Sequence, residues 1–293
     1  MVAGRTSPAP RRIDVPEVKP MLTDTFHSIV TATRKVFTNW QAMLLLATVY
    51  ALLLAALYFF LAVREASFVQ VILTFTLAIA APLLFFVLQS MVAGQTEEVT
   101  AGLLLRKSLA SFWKVILISL PLIVLAILIA YLLARAQNRF GATFNNPDLR
   151  HPLAETANAQ HPARPIDWKV ALLSTVRYLA FGLVLPLMAI HLWLATVNEG
   201  LGSAVRKLGT HLARAFAPQS VLIYIAGFLV FGVAPYLLLF KTTQTKHAWL
   251  ELLLLVARLL VVFALTLFGW AITVRALAQS STTPLPDRAN ETA

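Results

Sequence analysis

Of 293 residues, 59% are hydrophobic and only 13% charged, with a mean hydropathy of +0.76, and this is more apolar surface than a water-soluble fold can hide, because soluble domains are about 25% charged. The balance of 24 Lys and Arg against 13 Asp and Glu, a net charge of +11, leaves few acids to pair with the cations. There is no cysteine, which excludes disulfides, thiolate metal sites and thiol redox pairs.

Residues 1–20 carry Arg5, Arg11, Arg12 and Lys19 among prolines and lack the early apolar stretch of a cleavable signal peptide, so they are expected to form a disordered cytoplasmic tail. Behind them Leu22, Phe26, Ile29, Val30, Val36 and Phe37 recur at helical spacing, with Arg34 and Lys35 on other faces. Six apolar runs follow, at about 39–63, 68–93, 113–134, 168–195, 220–240 and 249–274. Each is near the roughly 20 residues that a helix needs to cross a bilayer. Trp40, Trp113, Trp168, Trp193, Trp249 and Trp270 all fall at or near a predicted end, where amphipathic rings favour the headgroup layer. The expected fold is therefore all-α: a polytopic bundle of six transmembrane helices occupying residues 21–278, followed by a cytoplasmic tail at 279–293. Basic residues concentrate on the side of the N-terminus, which places both termini in the cytoplasm and the protein in a cytoplasmic membrane.

Between the third and fourth spans, the non-cytoplasmic loop 136–167 contains Asp148, His151 and His161 at a spacing that matches no tight metal motif. It reads as a mobile polar loop, and no metal or cofactor is expected. Asn290-Glu-Thr292 fits a glycosylation sequon but falls in the tail assigned to the cytoplasm.

Gly102-Leu-Leu-Leu-Arg106-Lys107 and Gly202-Ser-Ala-Val-Arg206-Lys207 stand one hundred residues apart, with Thr96 matching Thr196 and Lys114 matching Arg214. Thr31-Ala-Thr-Arg34-Lys35 ahead of Trp40 is a third, fainter copy. The chain thus reads as three units, each an interfacial amphipathic helix followed by a two-span hairpin, arranged pseudo-symmetrically about the membrane normal. Amphipathic helices precede spans 1, 3 and 5, and Arg34, Lys35, Arg106, Lys107, Arg206 and Lys207 are expected to contact anionic lipid headgroups.

Within the spans, Pro82, Pro121, Pro186 and Pro235 free backbone carbonyls and bend their helices. Gly182, Gly227, Gly232 and Gly269 are expected to let helices approach closely. Arg177 and Arg258 each lie nine residues after a tryptophan, Trp168 and Trp249. At about 1.5 Å per residue this is roughly 13 Å, near the centre of a hydrocarbon core about 30 Å thick. A guanidinium there costs at least about 2.5 to 3.5 kcal/mol and is expected to face the bundle interior or a wet cavity. Two readings follow: the pair receives an anion, such as a lipid phosphate or a carboxylate, or each bonds to carbonyls freed by Pro82 or Pro186 or snorkels to an interface. His191 reads as an interfacial or packing residue.

No motif for metalloprotease, nucleotide-binding or serine-hydrolase chemistry occurs, and membrane carboxylates are nearly absent. Basic residues scattered among juxtamembrane segments argue against nucleic-acid binding. The order of span, glycine-containing basic amphipathic helix and span, carried by the Gly102 and Gly202 segments, resembles groups of uncharacterised bacterial six-helix membrane proteins, among them those similar to the membrane domain found with some glycerophosphodiester phosphodiesterases. Glu97-Glu98-Val-Thr-Ala-Gly102, with Phe112-Trp113 and Pro121, also resembles the cytoplasmic coupling loop of importer permeases, although Val197 stands where the second copy would need an acid. The expected role is a non-enzymatic membrane scaffold or accessory protein with a membrane-protein partner or a second copy of itself. The alternative is a permease-like subunit or transporter of a lipid or small anion using Arg177 and Arg258.

Overall fold

The computed structural model of the chain describes residues 18–63, 67–95, 100–139, 168–241 and 247–282. Among these residues there are helices and turns but no strand, and six helices are long and apolar enough to cross a membrane. The all-α six-span architecture read from the sequence is therefore present.

The amphipathic helix α1 (Val18–Thr38) buries Ala32 and Val36 and exposes Arg34 and Lys35. Asn39 separates it from α2 (Trp40–Ala62), the first span, by accepting a hydrogen bond from Ala42 N at 3.2 Å in N-cap fashion. Ser67 caps the second span, α3 (Phe68–Gly94), in the same way. The third span is part of α4 (Ala101–Arg139), whose 39 residues rise about 58 Å, roughly twice the thickness of a hydrocarbon core. The fourth consists of α5 (Trp168–Leu179), a π-helical turn (Ala180–Val184) and α6 (Leu185–Glu199). Two short helices, α7 (Leu201–Arg206) and α8 (Leu208–Ala215), lead to the fifth span, built from α9 (Pro218–Phe228), a second π-helical turn (Leu229–Val233) and α10 (Ala234–Phe240). The last span, α11 (Ala248–Thr282), continues as helix into 279–282, the first residues of the expected C-terminal tail.

The three amphipathic segments differ more than their sequences imply. The second merges with its span into one helix, α4, whereas the third is broken three times. Gly200 turns the chain at φ 87°, in the left-handed region that favours glycine, and so separates α7 from α6. Lys207 divides α7 from α8. Pro218 then drives Ala217 out of the helical region to φ −59°, ψ 138°, where one hundred residues earlier Ile118 lets α4 continue.

Packing, by contrast, repeats around the bundle. The start of α4 lies on α3, where Ser90 Oγ donates to Ser108 O at 3.2 Å; α7 and α8 lie on α6; and α1 lies on α11. Each amphipathic helix thus rests on the second span of the unit before it, and the contact of α1 with α11 closes the ring. The second spans α3, α6 and α11 meet one another at the centre. Half of the apolar window of the fourth span is buried, against 11–22% in the other five, which identifies α6 as the central helix. Burial is concentrated at the end carrying α1, α7 and α8: Leu88–Gly94, Leu192–Val197 and Ala276–Ala278 are all buried there. Toward the other end Leu61, Phe75, Leu132, Tyr178, Phe240 and Trp249 are exposed, so the hairpins splay apart and present apolar surface to lipid.

Close approach is concentrated at two of the four expected glycines. A Cβ on Gly227 of α9 would overlap Thr273 of α11, whose own Cβ is 2.9 Å from that position, and one on Gly269 would meet Phe231 Cβ at 3.0 Å. Gly182 has open space around it, and Gly232 faces the Phe228 ring of its own span, so neither serves helix approach. Pro186 cannot donate to the carbonyl of Gly182 four residues earlier, and the Tyr224 hydroxyl donates to that carbonyl instead, at 2.9 Å. Gly227→Ala should lower the unfolding free energy by about 1–3 kcal/mol, with part of the loss recovered in the double variant with Thr273→Ala. Denaturation of both variants in mixed micelles checks this, and an unchanged midpoint for Gly227→Ala would mean that α9 and α11 are not in close contact.

Candidate functional site

At the closely packed end a cavity of about 540 Å³ lies between α1, α6, α8 and α11. Helical spacing brings its side chains together. His191, Ala195 and Asn198 follow one another at i, i+4 and i+7 on one face of α6, His211 and Arg214 at i and i+3 on α8, and Arg275 and Gln279 at i and i+4 on α11. Lys35 enters from α1, and Glu199 closes the rim.

Among the described residues that line this cavity, Lys35, Arg214 and Arg275 are the fixed cations and Glu199 is the carboxylate. That carboxylate is already engaged, since its Oε2 accepts from Lys207 Nζ at 3.2 Å and from Ser203 Oγ at 3.0 Å. Its Oε1 lies 3.9 Å from His211 Nε2, too far for a hydrogen bond. His191 is 3% exposed and His211 6%, and the Nε2 of each, together with Nε of Arg214, is buried without a hydrogen-bond partner among the described residues. Burial holds the His211 imidazole below the ordinary histidine value; Glu199 opposes the shift, and Arg214 and Lys207 add to it.

A second cavity, of about 700 Å³, lies in the middle of the bundle between the splayed hairpins. Its wall is hydrocarbon and aromatic, with Leu53, Phe86, Leu122, Phe231 and Leu267 among its members. The polar groups in that wall are paired: Trp193 Nε1 donates to Ser119 Oγ at 2.8 Å and Trp270 Nε1 to Gln89 Oε1 at 2.9 Å. The two cavities use opposite faces of α6, with His191, Leu194, Ala195 and Asn198 on one and Leu185, Pro186, Ala189 and Trp193 on the other.

Compared with known proteins, the chain matches no family model, no curated protein and no solved structure.

The two arginines singled out in the sequence are not brought together. Arg177 is exposed and lines a cleft of about 520 Å³ with Ala130, Leu133, Ala134 and Gln137 of α4 and Tyr178 and Phe181 of its own span. Arg258 is half-buried on α11 and lines none of these three cavities. The carbonyl freed by Pro186, one of the partners expected for these arginines, takes Tyr224. Among the residues expected to contact headgroups, Arg34, Arg106, Arg206 and Lys207 are exposed, Lys107 is half-buried, and Lys35 lines the basic cavity. Among the described residues, no group of three or more His, Asp or Glu could hold a metal. Asp148, His151, His161 and Asn290, and Glu97 and Glu98 of the coupling-loop resemblance, lie outside the described residues.

Sequence reasoning missed His211, Arg214 and Arg275 as one site and read His191 as packing, because the four belong to three segments that only the ring closure assembles. The one available signal was Arg214 recurring opposite Lys114 in the repeat. Lys114 itself lies over the Trp113 ring, 5.8 Å from its centroid.

The depressed His211 value fixes a sign for pH dependence. Neutral His211 is favoured in the folded chain, so its contribution to stability is complete above the unfolded value of about 6.5 and is lost as the pH falls below it. The unfolding temperature should therefore fall between about pH 7.5 and about pH 5.5. His211→Gln should reduce that slope, and an equal slope in the variant would contradict the assignment.

Proposed function

We propose that this protein is a non-enzymatic integral membrane scaffold or accessory protein of a cytoplasmic membrane, with its amphipathic-helix end and both termini on the cytoplasmic side. The observation that supports this reading is the separation of the two cavities. A permease requires a polar route through the bundle, whereas here the basic cavity ends against the buried side of α6 and the cavity beyond it is apolar. The splayed, lipid-facing hairpins offer extensive surface for a membrane-protein partner or a second copy, as a scaffold requires. The basic, exposed side chains of α1, α4 and α7 suit the anionic face of a bilayer.

The transporter reading, with Arg177 and Arg258 receiving the anion, would need these residues on a shared path, and the cleft that Arg177 lines does not include Arg258. Proteoliposomes containing the protein should show no phosphate or carboxylate flux above protein-free vesicles. Arg177→Leu with Arg258→Leu should leave the helical content and the monodisperse elution of the extracted protein unchanged. Protein-dependent flux that the double variant abolishes would establish the transporter reading and overturn the scaffold one.

A further inference from the structure

We propose that the cavity between α1, α6, α8 and α11 is a binding site for a phosphate-bearing anion. Lys35 of α1, Arg214 of α8 and Arg275 of α11 line it together, and Glu199, the carboxylate among its described lining residues, is already engaged by Lys207. An anion placed among such cations relieves their mutual repulsion. His191 Nε2, His211 Nε2 and Arg214 Nε are the kind of nitrogen that donates to a phosphate oxygen, and all three are buried with that capacity unused among the described residues.

The disposition of the donors favours a phosphate over a carboxylate. A carboxylate is planar and is satisfied from one side by one forked guanidinium, whereas a phosphate spreads its oxygens tetrahedrally and accepts from several directions. Here the donors come from four helices surrounding one space. At about 540 Å³ the cavity exceeds a bare oxyanion, and the Asn198 amide supplies a neutral partner for an ester or hydroxyl oxygen beside the phosphate. This assignment does not depend on the scaffold reading, since a scaffold can hold an anionic headgroup or a free phosphate ester as firmly as a transporter can.

The full chain in a neutral detergent tests the proposal with two matched pairs of probes: inorganic phosphate against chloride at equal ionic strength, and dioctanoyl phosphatidic acid against dioctanoyl phosphatidylcholine. Calorimetric titration should show binding of at least one phosphate probe and of neither control. Arg214→Gln should weaken that binding by about 10- to 100-fold, as expected for loss of a charge-assisted hydrogen bond. Lys35→Gln, a less enclosed change that keeps the proposal testable if Arg214→Gln does not fold, should weaken it by about 2- to 5-fold. Affinity should rise from about pH 7.5 to about pH 5.5 as His211 gains a proton facing Arg214 and Lys207 on its own segment, His191 and Glu199 of α6, Lys35 of α1 and Arg275 of α11. His211→Gln should remove that part of the rise, which a merely structural histidine would leave in place. Binding of inorganic phosphate would assign the site to a free anion, and binding of phosphatidic acid alone to a lipid headgroup. Absence of binding by both phosphate probes, or affinities unchanged in the Arg214 and Lys35 variants, would overturn the proposal.

Discussion

The fold depends on one contact repeated around the bundle, the seating of an amphipathic helix on the second span of the neighbouring unit. In a bilayer, apolar side chains gain little by leaving lipid for protein, so burial alone does not hold spans together. At the end bearing α1, α7 and α8 the amphipathic helices tie successive hairpins to one another, and α1 on α11 joins the last to the first. Small side chains do the same work in the spans, with Gly227 against Thr273 and Gly269 against Phe231 bringing the fifth span and α11 close together. Beyond the reach of these contacts the hairpins diverge, and the apolar cavity opens where they do.

The same packing creates the basic cavity. An amphipathic helix lying free on a membrane would direct its cations to headgroups and water. Packed against α6 and α11, α8 and α1 instead bring Arg214, His211 and the exposed Lys35 to one cavity with Arg275 and His191. The basic residues of α1 are divided by helix face: Arg34 and Lys35 are both exposed, and of the two Lys35 lines the cavity.

The six spans and the amphipathic segments before the first, third and fifth were legible in the sequence because each is set by local chemistry, namely a long apolar run or a 3.6-residue period. The breaks were less legible. Pro218 and Gly200 were visible as residues, but the repeat suggested three similar segments when single substitutions, Pro218 for Ile118 above all, make α4 continuous and the third copy discontinuous. The surroundings of Arg177 were not legible either, since the cleft that it lines pairs α5 with Ala130, Leu133, Ala134 and Gln137 of α4, a packing between separate helices. The basic cavity could not be read at all, since it needs α1 beside α11, a contact between opposite ends of the chain.

The π-helical turns show how backbone chemistry and the central wall fit together. Spans 4 and 5 each carry a Phe-Gly pair followed within a few residues by proline, Phe181-Gly182 before Pro186 and Phe231-Gly232 before Pro235, and each widens to π geometry there. Proline removes one helical donor, the wider turn shifts its neighbour to a carbonyl five residues back, as Leu185 N does with Ala180 O, and Tyr224 of the fifth span then satisfies Gly182 of the fourth. The bond thus ties α9 of the fifth span to the π-helical turn of the fourth, immediately before α6 begins. From that point α6 runs through the centre of the bundle with His191 on one face and Trp193 on the other, and the basic cavity and the apolar one lie on those opposite faces.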